Sequence, residues 1–216
     1  MSTSSTEVSA ALFDYVRAHT EPEDPFLAEL KTAARAAGIP PIWIAHEQAR
    51  LMYVLLKAAG AKQVVEVGTL AGLSAIVMAR ALGPGGRVRT IELSPVHAQF
   101  AREWIARSDV AGAIEVLVGS GAEHLPTFAD GSCDAMFVDA DKVGYPLYLE
   151  HALRIVRRGG LVLIDNAFAF GQLLDTRPSD SDVPHVRAFN ELMSHCDRLD
   201  KVIAPVGDGL WVGVLR

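Results

Sequence analysis

The feature that most constrains this chain is an alternation of strand-like runs and helical segments that begins at Gln63 and continues to Ile164. Gln63–Val67, Arg87–Ile91, Ile114–Val118, Ala135–Val138 and Leu161–Ile164 read as strands. The last two are apolar throughout, as strands covered on both faces are. Between them fall helical segments at Leu73–Leu82, at Pro95–Arg107 with Ser94 as N-cap and Pro95 at the first helical position, and at Tyr148–Val156, ended by Gly159-Gly160. Such alternation predicts a parallel sheet with helices on both faces.

The two ends of the chain depart from that rhythm. Three helices are expected first, over Val8–Ala18, Asp24–Ala37 and His46–Ala59, the second stopped by Gly38 and Pro40-Pro41 and the third by Gly60. After a helix over Val186–Cys196, the strand-like Asp200–Ala204 and Leu210–Leu215 are separated only by Pro205-Val206-Gly207-Asp208-Gly209. That is too short for a crossover helix, so these strands pair antiparallel as a hairpin. The expected fold is therefore α/β, a seven-stranded, mostly parallel sheet closed by a C-terminal antiparallel hairpin. A chain of 216 residues fits one domain, which at this size buries roughly 70% of its unfolded surface.

Composition removes several classes of function. The net charge of −6 contains no long run of either sign, so nucleic acid is not an expected partner. No apolar run approaches the roughly 18 residues that would suggest a membrane span. Met1–Glu7 lacks an early basic residue and an apolar core, and reads as a frayed tail of a cytoplasmic protein. Cys133 and Cys196 stand alone and are expected as free thiols.

In an open α/β sheet, ligands bind at the carboxyl ends of the strands. Two polar stretches sit there, Asp139-Ala140-Asp141-Lys142-Val143-Gly144-Tyr145 and Asp165-Asn166. Their oxygens suit a hard divalent cation such as Mg²⁺, with Lys142 in reach as a base. The loop Glu66-Val67-Gly68-Thr69-Leu70-Ala71-Gly72 follows the first strand, and Glu92 ends the second, where a carboxylate can accept bonds from a ribose. The glycine spacing is not that of a dinucleotide site, and Glu66 opposes a pyrophosphate. An acidic residue favours S-adenosylmethionine, which carries an ammonium and a sulfonium but no phosphate. Ser74, in the first turn of the next helix, and Gly119-Ser120-Gly121, which reads equally as a plain loop, are further candidates for that ligand. His46 and Trp43 read as amphipathic tips over the core, with contact to a substrate as the alternative, Tyr148 as helix core, and Phe168 and Phe170 as candidates for an aromatic wall. Two rival readings share these features. A nicotinamide-dependent dehydrogenase would keep the sheet and Glu92, and a non-catalytic cofactor-binding protein would keep Glu66 and Glu92 without a complete metal set.

Val65-Glu66-Val67-Gly68-Thr69, Thr90-Ile91-Glu92, Phe137-Val138-Asp139-Ala140-Asp141-Lys142 with Tyr145, Asp165-Asn166, Arg187-Ala188-Phe189-Asn190 and Gly207-Asp208-Gly209 occur in an order that resembles a known family. It is that of the cation-dependent O-methyltransferases of the catechol and caffeoyl-coenzyme A type, in a small bacterial form. The resemblance implies a Rossmann-like class I methyltransferase fold in a single domain, with the helices of residues 8–60 as a cap over the site, and a homodimer. It implies that Asp139, Asp165 and Asn166 hold Mg²⁺ (or Mn²⁺ or Ca²⁺), that Glu66, Gly68, Thr69, Ser74, Glu92, Gly121 and Asp141 line S-adenosylmethionine, and that Lys142 is the base beside Asp139. The acceptor would be one hydroxyl of a vicinal diol on a small aromatic ring. Phe170 stands where the plant enzymes place a polar substrate contact, and Ser120 where an acidic residue is frequent.

Overall fold

The computed structural model describes residue 6 and residues 8–216. The tail expected at Met1–Glu7 therefore lies, Thr6 apart, outside the described residues. Seven strands form one sheet: β1 (Gln63–Val67), β2 (Arg87–Glu92), β3 (Ile114–Val118), β4 (Cys133–Val138), β5 (Val156–Ile164), β6 (Leu199–Ala204) and β7 (Leu210–Leu215). Their order across the sheet is β3-β2-β1-β4-β5-β7-β6. Pairing is parallel from β3 through β5 and antiparallel on both sides of β7.

Successive side chains of the central strands feed two apolar layers, as the period of two requires. Val64, Ala135, Phe137, Leu161 and Leu163 pack into the layer that holds α2 (Pro25–Ala36), α3 (His46–Ala58), α4 (Leu73–Leu82) and α5 (Pro95–Arg107). Val65, Met136, Val138, Val162 and Ile164 pack under α7 (Tyr145–Ile155) and α8 (Val183–Ser194). Each fully buried side chain of this size contributes about 1.5–3 kcal/mol relative to exposure. The N-terminal α1 (Ala10–His19) buries none of its residues and lies against α3.

Three local expectations are corrected. Gly159-Gly160 does not end a helix: α7 stops at Ile155 and β5 already runs through both glycines. Gly159 has φ +74, and a Cβ on Gly160 would stand 2.6 Å from the Asp134 carbonyl oxygen, so these glycines mark the register shift against β4. Gly119-Ser120-Gly121 is not only a loop. Ser120 Oγ accepts the Glu123 amide and Glu123 accepts the Ser120 amide, a capping box that starts the short helix α6 (Gly121–His124). Helices α7 and α8 each begin three residues before the expected start, at Tyr145 and Val183, with Pro146 and Pro184 in their first turns.

The chain enters the sheet at β1, steps outward through β2 and β3, and returns to β4 on the other side of β1. This reversal opens a crevice at the carboxyl ends of β1 and β4.

Candidate active site

Glycine is required where β1 meets β4. Gly68 has φ +99, and a Cβ there would lie 1.9 Å from the Asp139 carbonyl oxygen. The Asp139 amide in turn donates to the Val67 carbonyl at 2.9 Å. The loop after Gly68 is tied down by Glu92, whose Oε2 accepts the amides of Thr69 (3.1 Å) and Leu70 (2.8 Å) while Oε1 accepts that of Ser94 (2.9 Å). Glu92 therefore shapes this loop as well as lining the cavity over it, a role that strand-end position alone does not reveal.

A cavity of about 620 Å³ opens over this loop. Gly68, Thr69, Ser74, Glu92, Gly121, Asp139, Asp141, Lys142 and Asn166 all line it. Glu66 and Asp165 do not; they stand behind the wall, 0% and 4% exposed. A larger cavity of about 1010 Å³ lies across the first helical layer. It contains none of these residues, and part of its charged lining is already paired, Arg50 with Glu21 and Arg80 with Asp24 and Asp109. The smaller cavity is where the chemistry converges.

Lys142 is buried at its floor. Its Nζ donates to Asn166 Oδ1 (2.7 Å), the Tyr145 hydroxyl (2.7 Å) and the Ala140 carbonyl (2.9 Å), and lies 3.4 Å from Asp139 Oδ1. Burial, followed by the charge of Asp139, pushes the Asp165 carboxyl up to about 7, and burial also raises that of Asp139. Two carboxylates held close in low dielectric against one ammonium are short of positive charge. Among the described residues no three His, Cys, Asp or Glu side chains gather closely enough to hold a metal by themselves. The expected set has only two such residues, completed by the Asn166 amide oxygen, and its uncompensated carboxylates fit a hard cation.

Glu66 is the other strained group. One oxygen is bonded to the Ser74 hydroxyl and the other is buried without a partner. Burial raises its carboxyl from 4.5 to about 8. The ligand-free folded protein thus holds a proton that the unfolded chain releases near 4.5, so this group lowers stability as pH rises through that window. Glu66→Gln is expected to lose less stability than wild type between about pH 5 and 8, by at least about 1 kcal/mol or roughly 2–4 °C in Tm. Parallel melting curves for the two ligand-free proteins would withdraw this assignment.

The connection between α2 and α3 supplies the other wall. Ile42 and Trp43 line the cavity, with Arg35 stacked 4.8 Å from the Trp43 ring centroid. Trp43 packs against the first apolar layer, as an amphipathic tip over the core should, and also reaches the site. His46 does not: it bonds the Glu21 carbonyl and faces the other cavity. Of the two phenylalanines only Phe170 lines the site, since Phe168 packs on Gly209. Tyr148 is buried as expected, yet its hydroxyl reaches the cavity and donates to Asp141 Oδ1 at 2.6 Å.

The segment behind Asp165 is conformationally costly. Asn166, Ala169 and Phe170 adopt φ of 62°, 53° and 59°, and each such non-glycine residue costs roughly 1–2 kcal/mol. Asp208, whose only mark in the sequence is the Gly207-Asp208-Gly209 turn, accepts hydrogen bonds from Asn166 Nδ2 and from the amides of Phe170 and Gly171.

The switch-point crevice, the tethered loop and the carboxylate-lined cavity define an α/β enzyme of the class I methyltransferase type. A profile of the O-methyltransferase family matches residues 17–215, and the chain belongs to that family. It is 38% identical over 192 residues to a catechol O-methyltransferase of Mycobacterium tuberculosis, covering 88% of this chain and 87% of that one. The solved O-methyltransferase of Bacillus cereus in complex with S-adenosylhomocysteine superimposes with a TM-score of 0.86 at 32% identity, covering 95% and 97%. An O-methyltransferase of Streptomyces achromogenes in complex with S-adenosylmethionine gives 0.83 at 30%, covering 95% and 96%. The chain is a S-adenosylmethionine-dependent O-methyltransferase, which removes the dehydrogenase and the non-catalytic binding protein as readings. No helix among the described residues is long and apolar enough to cross a membrane.

Proposed function

We propose that the enzyme moves the methyl group of S-adenosylmethionine to one hydroxyl of a vicinal, catechol-like diol on a small aromatic ring, with Mg²⁺, Mn²⁺ or Ca²⁺ held by Asp139, Asp165 and Asn166. The observation that carries this reading is one cavity with three contiguous walls. The Gly68–Ser74 loop and Glu92 form one, Asp139, Lys142 and Asn166 a second, and Ile42, Trp43 and Phe170 a third. The likeness to the catechol O-methyltransferase of Mycobacterium tuberculosis supports the same acceptor class.

When bound, the cation supplies Lewis-acid polarisation of the acceptor oxygens. The residues do the remainder. Glu92 and Thr69 take the ribose end of the cofactor, Ser74 and Gly121 flank it, and Glu66, behind the wall, acts on the ammonium through its charge rather than by contact. Asp141, fixed by Tyr148 and by the Gly144 amide, borders the cofactor from the far side. Lys142 Nζ, which holds three protons in this arrangement, first releases one to solvent and as the neutral amine would then receive the proton of the reacting hydroxyl. Trp43 and Phe170 flank the ring and exclude water, so that oxygen, methyl carbon and sulfur can be held in line. Such alignment is worth about 7–11 kcal/mol in favourable cases.

Glu92→Ala removes a charge-assisted acceptor worth roughly 1.5–3 kcal/mol and is expected to weaken S-adenosylmethionine binding about 10–100-fold. Titration calorimetry on a variant with wild-type circular dichroism checks this, and unchanged affinity removes Glu92 from the site. The resemblance also brings into this proposal a single catalytic domain, a homodimer, checked by sedimentation of the purified chain, and a cytoplasmic location. The helices of residues 8–60 remain the proposed cap, and Pro40, Ile42, Trp43 and Ile44 from that stretch line the cavity. Turnover of pyrocatechol and resorcinol, with and without Mg²⁺, tests the function as a whole.

A further inference from the structure

We propose that Asp208 is a positioning residue that decides which way the Asn166 amide points and holds the backbone that carries Phe170. The inference rests on the reading of Asn166 as a metal ligand and goes beyond it. Three donors converge on this one carboxylate. Asn166 Nδ2 and the Phe170 amide reach Oδ2 at 3.1 and 2.8 Å, and the Gly171 amide reaches Oδ1 at 3.1 Å.

An ionised carboxylate only accepts hydrogen bonds. The two ends of an amide side chain are nearly the same shape, so their partners decide the orientation. Asp208 draws the NH₂ end of Asn166 toward itself. The carbonyl end is then turned to the cavity, where it lies 2.7 Å from Lys142 Nζ. The same geometry accounts for an amide rather than an acid at position 166, because a carboxylate there would face that of Asp208.

Asp208 can do this because the turn between β6 and β7 is itself bolted to the segment. The Ala167 amide donates to the Gly209 carbonyl and the Phe168 amide to the Asp208 carbonyl, both at 2.8 Å. Asn166, Ala169, Phe170 and Gly171 all have left-handed φ, and non-glycine residues resist that conformation. The amides of the last two are the ones Asp208 captures. One side chain thereby couples the metal side of the cavity to its aromatic wall.

The test is a sign change. An added negative ligand by itself favours a hard cation. In the wild-type background Asn166→Asp is nevertheless expected to weaken Mn²⁺ binding, by titration calorimetry, at least about tenfold, or about 1.4 kcal/mol. In an Asp208→Asn background, where residue 208 can donate, the same Asn166→Asp change is expected to strengthen Mn²⁺ binding at least about threefold relative to Asp208→Asn alone. A purely structural Asp208 would leave the two effects with one sign, and that result overturns the proposal. A metal-free measurement stands beside it. Amides of the 168–173 segment are expected to exchange with deuterium at least about tenfold faster in Asp208→Ala, with the central strands as protected as in wild type. Unchanged exchange there also overturns the proposal, and Asp208→Asn serves if the alanine variant does not fold. If wild-type protein fails to bind Mn²⁺, the metal reading falls and the exchange measurement alone decides the role of Asp208.

Discussion

Chelation with EDTA is expected to abolish methyl transfer, Mg²⁺ or Mn²⁺ to restore it, and ortho-dihydroxy acceptors to exceed their meta isomers in kcat/KM by at least about tenfold, equivalent to about 1.4 kcal/mol. Asp139, Asp165 and Asn166 offer two carboxylates and one amide oxygen, fewer than the six ligands Mg²⁺ demands. Positions are left for water and acceptor. An acceptor with adjacent hydroxyls can offer both oxygens to those positions, whereas a meta-diol or a mono-phenol offers one and is held in poorer alignment. The raised carboxyls of Asp139 and Asp165 add a dependence on pH. Their protons must leave before a cation is held, so affinity for Mg²⁺ rises with pH through the window around 7 set by Asp165. Initial rates of methyl transfer to pyrocatechol and resorcinol across a Mg²⁺ titration measure all of this. Full turnover of a mono-phenol by metal-free enzyme sinks the mechanism and leaves a metal-independent O-methyltransferase.

Lys142→Met is expected to lower kcat by roughly 10²–10⁴ while leaving S-adenosylmethionine affinity nearly intact. Its ammonium spends all three hydrogens on Asn166, Tyr145 and Ala140. Two of its neighbours, Asp139 and Asn166, belong to the proposed cation site, so the lysine and the cation share partners. Methionine keeps the length of the stem but neither donates nor takes a proton, which separates proton transfer from packing. Calorimetry for the cofactor and single-turnover rates for the methyl group read the two separately. Near-normal turnover at neutral pH would reduce Lys142 to a positioning charge.

Much of the site was legible because chemistry here sits at strand ends, and strand ends are marked by a change from apolar to polar residues. Phe137-Val138-Asp139 and Leu163-Ile164-Asp165 carry that mark, and the residues after them do converge on one cavity with Gly68 and Glu92, although Asp165 itself stands behind its wall. Trp43 and Asp208 were placed less well. Each enters the site from an element distant in the chain, and nothing in its local sequence records which strand end it will face. Gly159-Gly160 misled for a different reason: a glycine pair reads the same whether it stops a helix or makes room for a neighbouring backbone, and only the Asp134 carbonyl, 2.6 Å from where a Cβ on Gly160 would stand, distinguishes the two.

The sequence by itself determined what is local: five strands of parallel type, their helices and caps, the final hairpin, and the identity of the polar residues that end each strand. Periodicity, turn chemistry and loop length act over a few residues, so they can be read there. The tertiary structure decided that β7 rather than β6 lies beside β5, that β1 and β4 are neighbours, and that the turn after β6 reaches back to Asn166. Those choices belong to the packing of two apolar layers around one sheet, in which every strand competes for position at once. No single segment carries that information.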